Sequence, residues 1–235
     1  MNQWQSAEEQ SSHFMMAAPI SAGARYYGAL TLPLYDLAVL KLVVQGAWGC
    51  PLEKEHALYD RCVGKRHLDV GVASGYFLDH AVWPIPRPEI VLMDLNPNST
   101  RFAAHRLRRY AVSEVVGDAL LPFPVEGRFD SIGLFHLLHC IPGSHHEKAD
   151  VLRNSAAVLN PGGVVFGACV TPVDTPLNPF AKAVLKVSHS LGALNNQRDR
   201  HSDLVEVLHQ TFADVKVEKV GCMSLWEARS PLPKE

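Results

Sequence analysis

The sequence has little net charge and no paired cysteines. Its 22 Lys and Arg residues stand against 24 Asp and Glu residues, which gives a net charge of -2 at pH 7. Proteins that bind nucleic acids usually carry a basic surface, so this balance argues against a nucleic-acid partner. The 5 cysteines are odd in number, and no two have the C-x-x-C spacing of a zinc or redox motif. We therefore expect no disulfide framework, no metal site and a reducing compartment, the cytoplasm.

A long uninterrupted apolar run and a targeting signal are also missing. The longest apolar stretch, Tyr27 to Trp48, is broken by Pro33, Asp36, Lys41 and Gln45. It falls short of the roughly 20 apolar residues that a membrane-spanning helix needs. The first residues, MNQWQSAEEQSSH, are polar and lack the cationic start of a signal peptide. The sequence therefore predicts a protein without a membrane partner.

Strand-like and helix-like segments alternate from about residue 63 onward. Short apolar runs such as Glu89 to Asp94 and Ala111 to Val116 are separated by amphipathic runs such as Pro97 to Arg109. This alternation predicts an α/β fold, a doubly wound sheet with helices on both faces. The 235 residues fit one domain. We divide it into a loose leader at 1–20, a helical cap at 21–62 and a core at 63–235.

A turn of small residues follows the strand predicted over His67 to Gly71. Its small residues are Gly71, Ala73, Ser74 and Gly75. A helix-like segment begins at Tyr76, so the turn offers backbone N–H groups to a ligand at a helix N-terminus. The dinucleotide fingerprint G-x-G-x-x-G is absent, because Ala73 and Tyr76 occupy the places of its second and third glycines.

Two acids flank this turn. Asp69 lies two residues before Gly71, and Asp94 ends the next predicted strand. An acid in that second position suits the hydroxyls of a ribose. The pattern acid-x-Gly-x-x-x-Gly resembles the first motif of the class I S-adenosylmethionine-dependent methyltransferases. The usual form of that motif is acid-x-Gly-x-Gly-x-Gly, so the departure in this chain is Ala73.

Later segments resemble the same family in the same order. Val116 to Ala119 resembles its third element, Phe129 to Gly143 its fourth strand and the loop that follows, and Val158 to Val170 its Pro-Gly-Gly turn and fifth strand. The resemblance implies a seven-stranded sheet with a reversed last strand. Two runs joined at Gly221 predict the hairpin that closes the sheet edge. The implied cofactor is S-adenosyl-L-methionine, with S-adenosyl-L-homocysteine as product.

The resemblance assigns the cofactor contacts to the carboxyl ends of the strands. It implies that Asp69 holds the amino-acid end of the cofactor, Asp94 the ribose hydroxyls and Asp118 the adenine amino group. The other implied contacts are Tyr35, Gly71, Val72, Ala73, Gly75, Leu95, Asn96, Ala119 and Leu134. Asn96 also precedes Pro97, which suits a helix cap.

Two histidines lie at and just after the fourth predicted strand, His136 and His139. In the family this region borders both the methyl donor and the acceptor. A neutral imidazole can take a proton from a hydroxyl, a thiol or an ammonium group. We predict His139 as the catalytic base and His136 as the competing candidate. For each of them a structural role, with the ring bonded to a loop carbonyl, stays open.

The acceptor is expected to be a small, partly apolar metabolite that is methylated on O, N or S by a monomer or homodimer. Its candidate contacts are Tyr26, Tyr27, Phe135 and Asn195. Plain helix packing for the N-terminal segment and a turn cap for Asn195 are the alternatives. Two other functions stay open, since a fold does not fix a function. One is a non-methylating cyclisation or rearrangement on the same cofactor-binding fold, and the other is methylation of a protein.

Overall fold

A seven-stranded sheet forms the centre of the computed structural model, which describes residues 43–233. In chain order the strands are β1 Arg66–Val70, β2 Glu89–Asp94, β3 Ala111–Val116, β4 Phe129–Phe135, β5 Leu159–Val170, β6 Phe212–Val220 and β7 Met223–Pro231. The helices are α1 Leu52–Cys62, α2 Tyr76–His80, α3 Pro97–Arg106, α4 Ala149–Ala157, α5 Pro179–Ser190 and α6 His201–Thr211. A short 3₁₀ turn, Leu138–Cys140, follows β4.

The strands are arranged in the order β3-β2-β1-β4-β5-β7-β6. β1 pairs in parallel with β2 on one side and with β4 on the other, so the direction of travel across the sheet reverses at β1. In open sheets of this kind ligands bind beyond the carboxyl ends of the strands at such a reversal. β7 is antiparallel to both β5 and β6. This arrangement confirms the reversed last strand and the hairpin predicted at Gly221.

Apolar side chains cover both faces of the sheet. One core layer lies under α1, α2, α3 and α5, and the other lies under α4 and α6. Alternate residues of β1 serve the two layers, as the two-residue period of a strand requires. Leu68 and Val70 belong to the layer under α4 and α6, whereas His67 and Asp69 face Tyr59 of α1. A polar pair therefore interrupts the α1 side of the core next to the small-residue turn.

Local sequence patterns predict most of these elements. The alternation after residue 63 is confirmed, and β2 and β3 have the predicted bounds. The Pro-Gly-Gly segment is different, because we expected a turn before a strand at Gly163 and it lies inside β5. Phe129 pairs with Leu159 and Ser131 with Val164. Residues 160–163 are therefore a bulge in β5, since they oppose a single residue of β4.

Most of the predicted N-terminal helix, from Ser21 to Trp48, lies outside the described residues. Residues 43–47 form one helical turn, in which Trp48 N–H donates to the carbonyl of Val43 at 2.9 Å. The Trp48 carbonyl in turn accepts the Cys222 N–H at 2.8 Å, which attaches this segment to the β6–β7 turn. In the part of the chain from 43 to 233, no helix has both the length and the apolar character to cross a membrane.

Candidate active site

The loops after β1, β2 and β4 meet at the carboxyl edge of the sheet. The turn 71–75 follows β1, Asp94 is the last residue of β2, and His136 follows β4. Helix α1 lies against the same edge, because its Glu55 reaches His136 and its Tyr59 reaches Asp69. The fold therefore brings together most of the residues that the sequence singled out.

Two glycines shape the turn, and both have the left-handed backbone that glycine adopts without strain. Gly71 has a φ of 77°, and its N–H donates to the Met93 carbonyl at 2.8 Å. A Cβ on Gly71 would lie 2.7 Å from Leu137 Cδ1, so a larger residue would displace Leu137 as well as strain the backbone. Gly75 has a φ of 69° and packs against Ala103 in the same way. The glycines hold the turn 71–75 against the ends of β2 and β4.

Ala73 stands where the family motif has its middle glycine. Its φ is 47°, in the left-handed region that costs an L-residue roughly 1–2 kcal/mol. Ala73 therefore differs from the glycine of the family motif in backbone strain as well as in size. Val72 beside it is buried in the core layer under α1. Its side chain packs there, so only its backbone is available for the predicted cofactor contact.

Asp94 ends β2 and is half-buried opposite the turn. Its Oδ1 accepts the Asn96 N–H at 2.8 Å, and its Oδ2 makes a long contact of 3.5 Å with the Ala73 N–H. Burial raises the pKa of Asp94 to about 6, while these backbone donors lower it and the nearby charge of Asp69 raises it further. Its carboxylate is thus only weakly satisfied by the protein and can accept hydrogen bonds from a ligand.

The neighbouring residues divide between capping and lining. The Asn96 side chain accepts the Asn98 N–H at 3.0 Å, which confirms it as the cap of α3 and commits its oxygen. The Asp118 Oδ1 similarly accepts the Leu120 N–H at 2.9 Å in the loop after β3. Leu95 is half-buried and Ala119 is buried. The cofactor contacts of these residues stay predictions.

Asp69 is buried beside the turn with one oxygen occupied. Its Oδ2 accepts the Tyr59 hydroxyl at 2.6 Å and lies 3.5 Å from Nε2 of His67. Among residues 43–233, no donor reaches its Oδ1 within hydrogen-bond distance. An oxygen of this kind, on a buried side chain and without a protein donor, favours a cationic donor.

The donor and acceptor set fits S-adenosylmethionine. The unpaired oxygen of Asp69 suits an ammonium group, and the weakly satisfied Asp94 suits two vicinal hydroxyls. The turn 71–75 lies between them, and its two glycines have no side chains to fill the space. A ligand with a cationic amino-acid end and a ribose matches this order of groups.

The hydrogen bonds of His139 favour one tautomer of its neutral ring. Its Nδ1 accepts the Val170 N–H at 3.0 Å, so the hydrogen of the neutral ring is on Nε2. Burial lowers the pKa of His139 well below its usual value, and the nearby charges of His136, Lys148 and His145 lower it further. A ring with hydrogen on Nε2 and a bonded Nδ1 has no free acceptor nitrogen. This geometry contradicts the prediction that His139 is the base.

His136 is the histidine that the geometry favours. It has a φ of 56°, unusual for a residue with a side chain. Its Nε2 lies 3.1 Å from Oε1 of Glu55 on α1, and the two side chains are 20% and 0% exposed. The N–H is poorly aligned with that oxygen, so both oxygens of this fully buried carboxylate lack a well-directed donor among the described residues.

Glu55 was missed by the sequence reasoning, although a signal for it exists. On α1 the buried residues are Glu55, Leu58, Tyr59 and Cys62. A charged residue on the apolar face of a helix is rarely buried without a partner. Its position on that face marks it as a candidate, whereas its partner His136 can be identified only from the fold.

Two residues predicted from β4 are packed into the core. Leu134 is fully buried in the layer under α4 and α6, so its side chain packs in the core, and its cofactor contact stays a prediction. Phe135 is buried in an aromatic cluster with Tyr59, Phe77 and Phe166. It supports the wall behind His136, and its contact with an acceptor stays a prediction.

Asn195 holds the loop before α6 to the segment after β4. Its N–H donates to the His139 carbonyl at 2.8 Å, and its Nδ2 donates to the Cys140 carbonyl at 2.9 Å. Its Nδ2 is therefore engaged with the main chain, and its contact with an acceptor stays a prediction. A buried ion pair fastens the same loop, since Lys148 Nζ contacts both oxygens of Asp199 at 2.8 and 2.9 Å. Tyr26, Tyr27 and Tyr35 lie outside the described residues.

The chain is similar to known methyltransferases. Residues 68–165 match the family described as methyltransferase domain. Demethylluteothin O-methyltransferase of Streptomyces thioluteus is 41% identical over 207 residues, which cover 88% of this chain and 90% of that protein. The physcion biosynthesis cluster O-methyltransferase of Aspergillus chevalieri is 34% identical over 217 residues, covering 91% and 97%.

A solved structure shares the fold. N-methyltransferase NodS from Bradyrhizobium japonicum WM9, in complex with S-adenosyl-L-homocysteine, superimposes with a TM-score of 0.54 at 16% identity. The match covers 77% of this chain and 88% of that chain.

Proposed function

Because the chain belongs to the S-adenosylmethionine-dependent methyltransferases, we propose that it methylates a hydroxyl oxygen of a small, partly apolar metabolite, with His136 as the base. Two relatives, at 41% and 34% identity, are named as O-methyltransferases. A hydroxyl acceptor also gains from a base, because a phenol-like group with a pKa of about 10 is mostly protonated at neutral pH.

The observation that carries this proposal is the contact between Glu55 and His136. The Glu55 carboxylate favours the tautomer with hydrogen on Nε2, which leaves Nδ1 to take the acceptor proton. No group among residues 43–233 is hydrogen-bonded to that Nδ1. Once the ring is protonated, the buried negative charge of Glu55 stabilises the imidazolium. Glu55 thus orients the base and offsets its charge.

The same proposal assigns the cofactor contacts to this chain's residues. Asp69 holds the ammonium group, Asp94 the ribose hydroxyls and Asp118 the adenine amino group. The backbone of Gly71, Ala73 and Gly75 lies along the ligand between the first two of these acids. When bound, the cofactor supplies an electrophilic methyl group with a good leaving group. The protein then mainly has to place the acceptor in line and to remove its proton.

The balanced charge supports a free small molecule rather than a nucleic acid as substrate. All five cysteines are free, which supports the cytoplasm as the compartment. We propose a monomer or homodimer.

The test uses methyl-labelled cofactor with panels of phenols, enols, amines and thiols. His136→Gln should lower kcat by roughly 10²–10⁴-fold, the usual contribution of a general base, while S-adenosylhomocysteine affinity stays unchanged. His146→Gln is the matched control, because that histidine is exposed near the same loop and should leave kcat unchanged. Label in amines or thiols alone, or full activity of His136→Gln, would contradict the proposal.

A further inference from the structure

Tyr59 lies one helical turn after Glu55 on α1, and its hydroxyl is directed at Asp69 rather than at His136. Its hydroxyl donates to Asp69 Oδ2 at 2.6 Å, and both residues are buried. Burial, together with the charge of Asp69, raises the pKa of Tyr59 well above its usual value. The phenol therefore stays protonated and acts as a donor.

A chain of hydrogen bonds continues behind this pair. The Ser131 hydroxyl accepts the Gly64 N–H at 2.7 Å, so its own hydrogen is available to Nδ1 of His67 at 2.8 Å. The hydrogen of the His67 ring is then on Nε2. That nitrogen lies 3.3 Å from the Tyr59 oxygen and 3.5 Å from Asp69 Oδ2. The His67 N–H therefore donates to the Tyr59 hydroxyl, which in turn donates to Asp69 Oδ2.

The aromatic neighbours keep Tyr59 from turning away. Its ring stacks on Phe77 at 5.6 Å and meets the edges of Phe135 and Phe166 at 5.0 and 5.2 Å. Phenylalanine would fill this apolar site equally well, so packing alone does not require the hydroxyl. The hydroxyl has a specific partner, and that partner is the carboxylate beside the turn 71–75.

The opposite side of Asp69 is closed as well. A Cβ on Gly133 of β4 would lie 3.0 Å from Asp69 Oδ2 and 3.3 Å from His67 Cε1. The carboxylate is thus enclosed between β4 and Tyr59, with Oδ2 occupied. Of its two oxygens, Oδ1 is the one that no donor from residues 43–233 reaches, and it is left for a ligand.

We propose that Tyr59 and His67 are positioning residues, which hold Asp69 so that its Oδ1 receives the ammonium group of the methyl donor. The inference rests on the proposed role of Asp69 in binding the amino-acid end of the cofactor. It assigns to α1 a function in the donor site that is separate from the action of Glu55 on His136.

The experiment compares two ligands by calorimetry: S-adenosylhomocysteine, which has the amino-acid end, and methylthioadenosine, which lacks it. Tyr59→Phe should weaken S-adenosylhomocysteine binding about tenfold, because the carboxylate loses its anchor. Methylthioadenosine binding should be unchanged. Tyr110→Phe is the control and should affect neither ligand, since the Tyr110 ring contacts Arg109 and Trp83 but neither Tyr59 nor Asp69.

Further variants separate this inference from its premise. Asp69→Asn should show the same ligand selectivity, and equal weakening of both ligands would overturn the role of Asp69 itself. With that role upheld, unchanged S-adenosylhomocysteine affinity in Tyr59→Phe would overturn the inference. Adding Tyr59→Phe to Asp69→Asn should cause no further loss. His67→Phe, which keeps an aromatic ring but removes both nitrogens, should weaken the binding of S-adenosylhomocysteine alone. It provides the test if Tyr59→Phe does not fold.

Discussion

The Glu55 carboxylate lies 3.1 Å from Nε2 of His136, although the first belongs to the helix before β1 and the second follows β4. His136 adopts a left-handed backbone there, which places its ring against α1 rather than along the strand direction. Strained residues of this kind are concentrated at functional sites. The pairing makes α1 part of the candidate base and not only a cover for the sheet.

Replacing Glu55 tests that pairing through the rate of methyl transfer. In Glu55→Gln no carboxylate faces the imidazolium that forms when His136 takes the acceptor proton, so kcat should fall about tenfold while S-adenosylhomocysteine affinity stays unchanged. Glu53→Gln, on the exposed face of the same helix, should leave kcat unchanged. An unchanged kcat in Glu55→Gln would show that the pair does not act on catalysis.

We expect Asp94 to lower the stability of the ligand-free protein and to strengthen the binding of the cofactor. Its pKa is raised from 3.8 to about 6 chiefly by burial, so the folded state binds its proton more tightly than the unfolded chain. The protein therefore loses stability as pH rises from about 4 to about 6, and the whole cost is present at pH 7. Asp94→Asn should raise the free energy of unfolding at pH 7.5 by roughly 1–3 kcal/mol, as measured by urea denaturation without ligand.

The same substitution should weaken the ligand. The ionised carboxylate is the better acceptor for ribose hydroxyls, so S-adenosylhomocysteine affinity of the wild type should fall as pH is lowered through about 6. Asp94→Asn should bind about tenfold more weakly at pH 7.5 and show a flat pH dependence. Calorimetry at several pH values measures both effects. Equal affinity of the two proteins at pH 7.5 would exclude Asp94 from the ribose site.

Ala73→Gly should be tolerated, unlike most replacements of alanine by glycine. At a φ of 47° the glycine relieves roughly 1–2 kcal/mol of strain. That gain offsets the entropy that glycine adds to the unfolded chain. The free energy of unfolding should thus change by less than about 0.5 kcal/mol, whereas Ala57→Gly on the exposed face of α1 should cost about 1 kcal/mol. Similar losses in both variants would mean that residue 73 is unstrained.

His145 should make the fold sensitive to acid. Burial, assisted by the charge of Lys148, lowers its pKa from 6.5 to about 3. Below about pH 6.5 His145 binds a proton in the unfolded chain but not in the folded protein. The free energy of unfolding therefore falls by roughly 1.4 kcal/mol for each unit by which the pH is lowered. His145→Gln should reduce that slope between pH 6 and pH 4. His146→Gln, at an exposed position, should not, and a slope unaffected by either change would contradict the shifted pKa.

Local patterns suffice for the elements and for the acids but not for the chemistry between them. The strand that ends in Asp94 and the cap at Asn96 both depend on neighbours within a few residues, so the sequence predicts them. The tautomer of His139 depends instead on the Val170 N–H of β5. A partner brought near only by the sheet order cannot be identified from one segment. For that reason the sequence favours His139 as the base, whereas the contacts in the structure favour His136.

The segment before α6 is attached to the rest of the protein through buried groups such as the pair Lys148–Asp199, while other residues of the segment are exposed. The loop is held through main-chain atoms and fully buried groups, whereas Gln197 and Arg198 between those anchors are exposed. Substitutions at such exposed positions usually change stability by less than about 0.5 kcal/mol. Beside the same edge as His136, this segment can therefore accumulate sequence changes without refolding. A lineage could adapt it to new acceptors while the donor half of the molecule stays as it is.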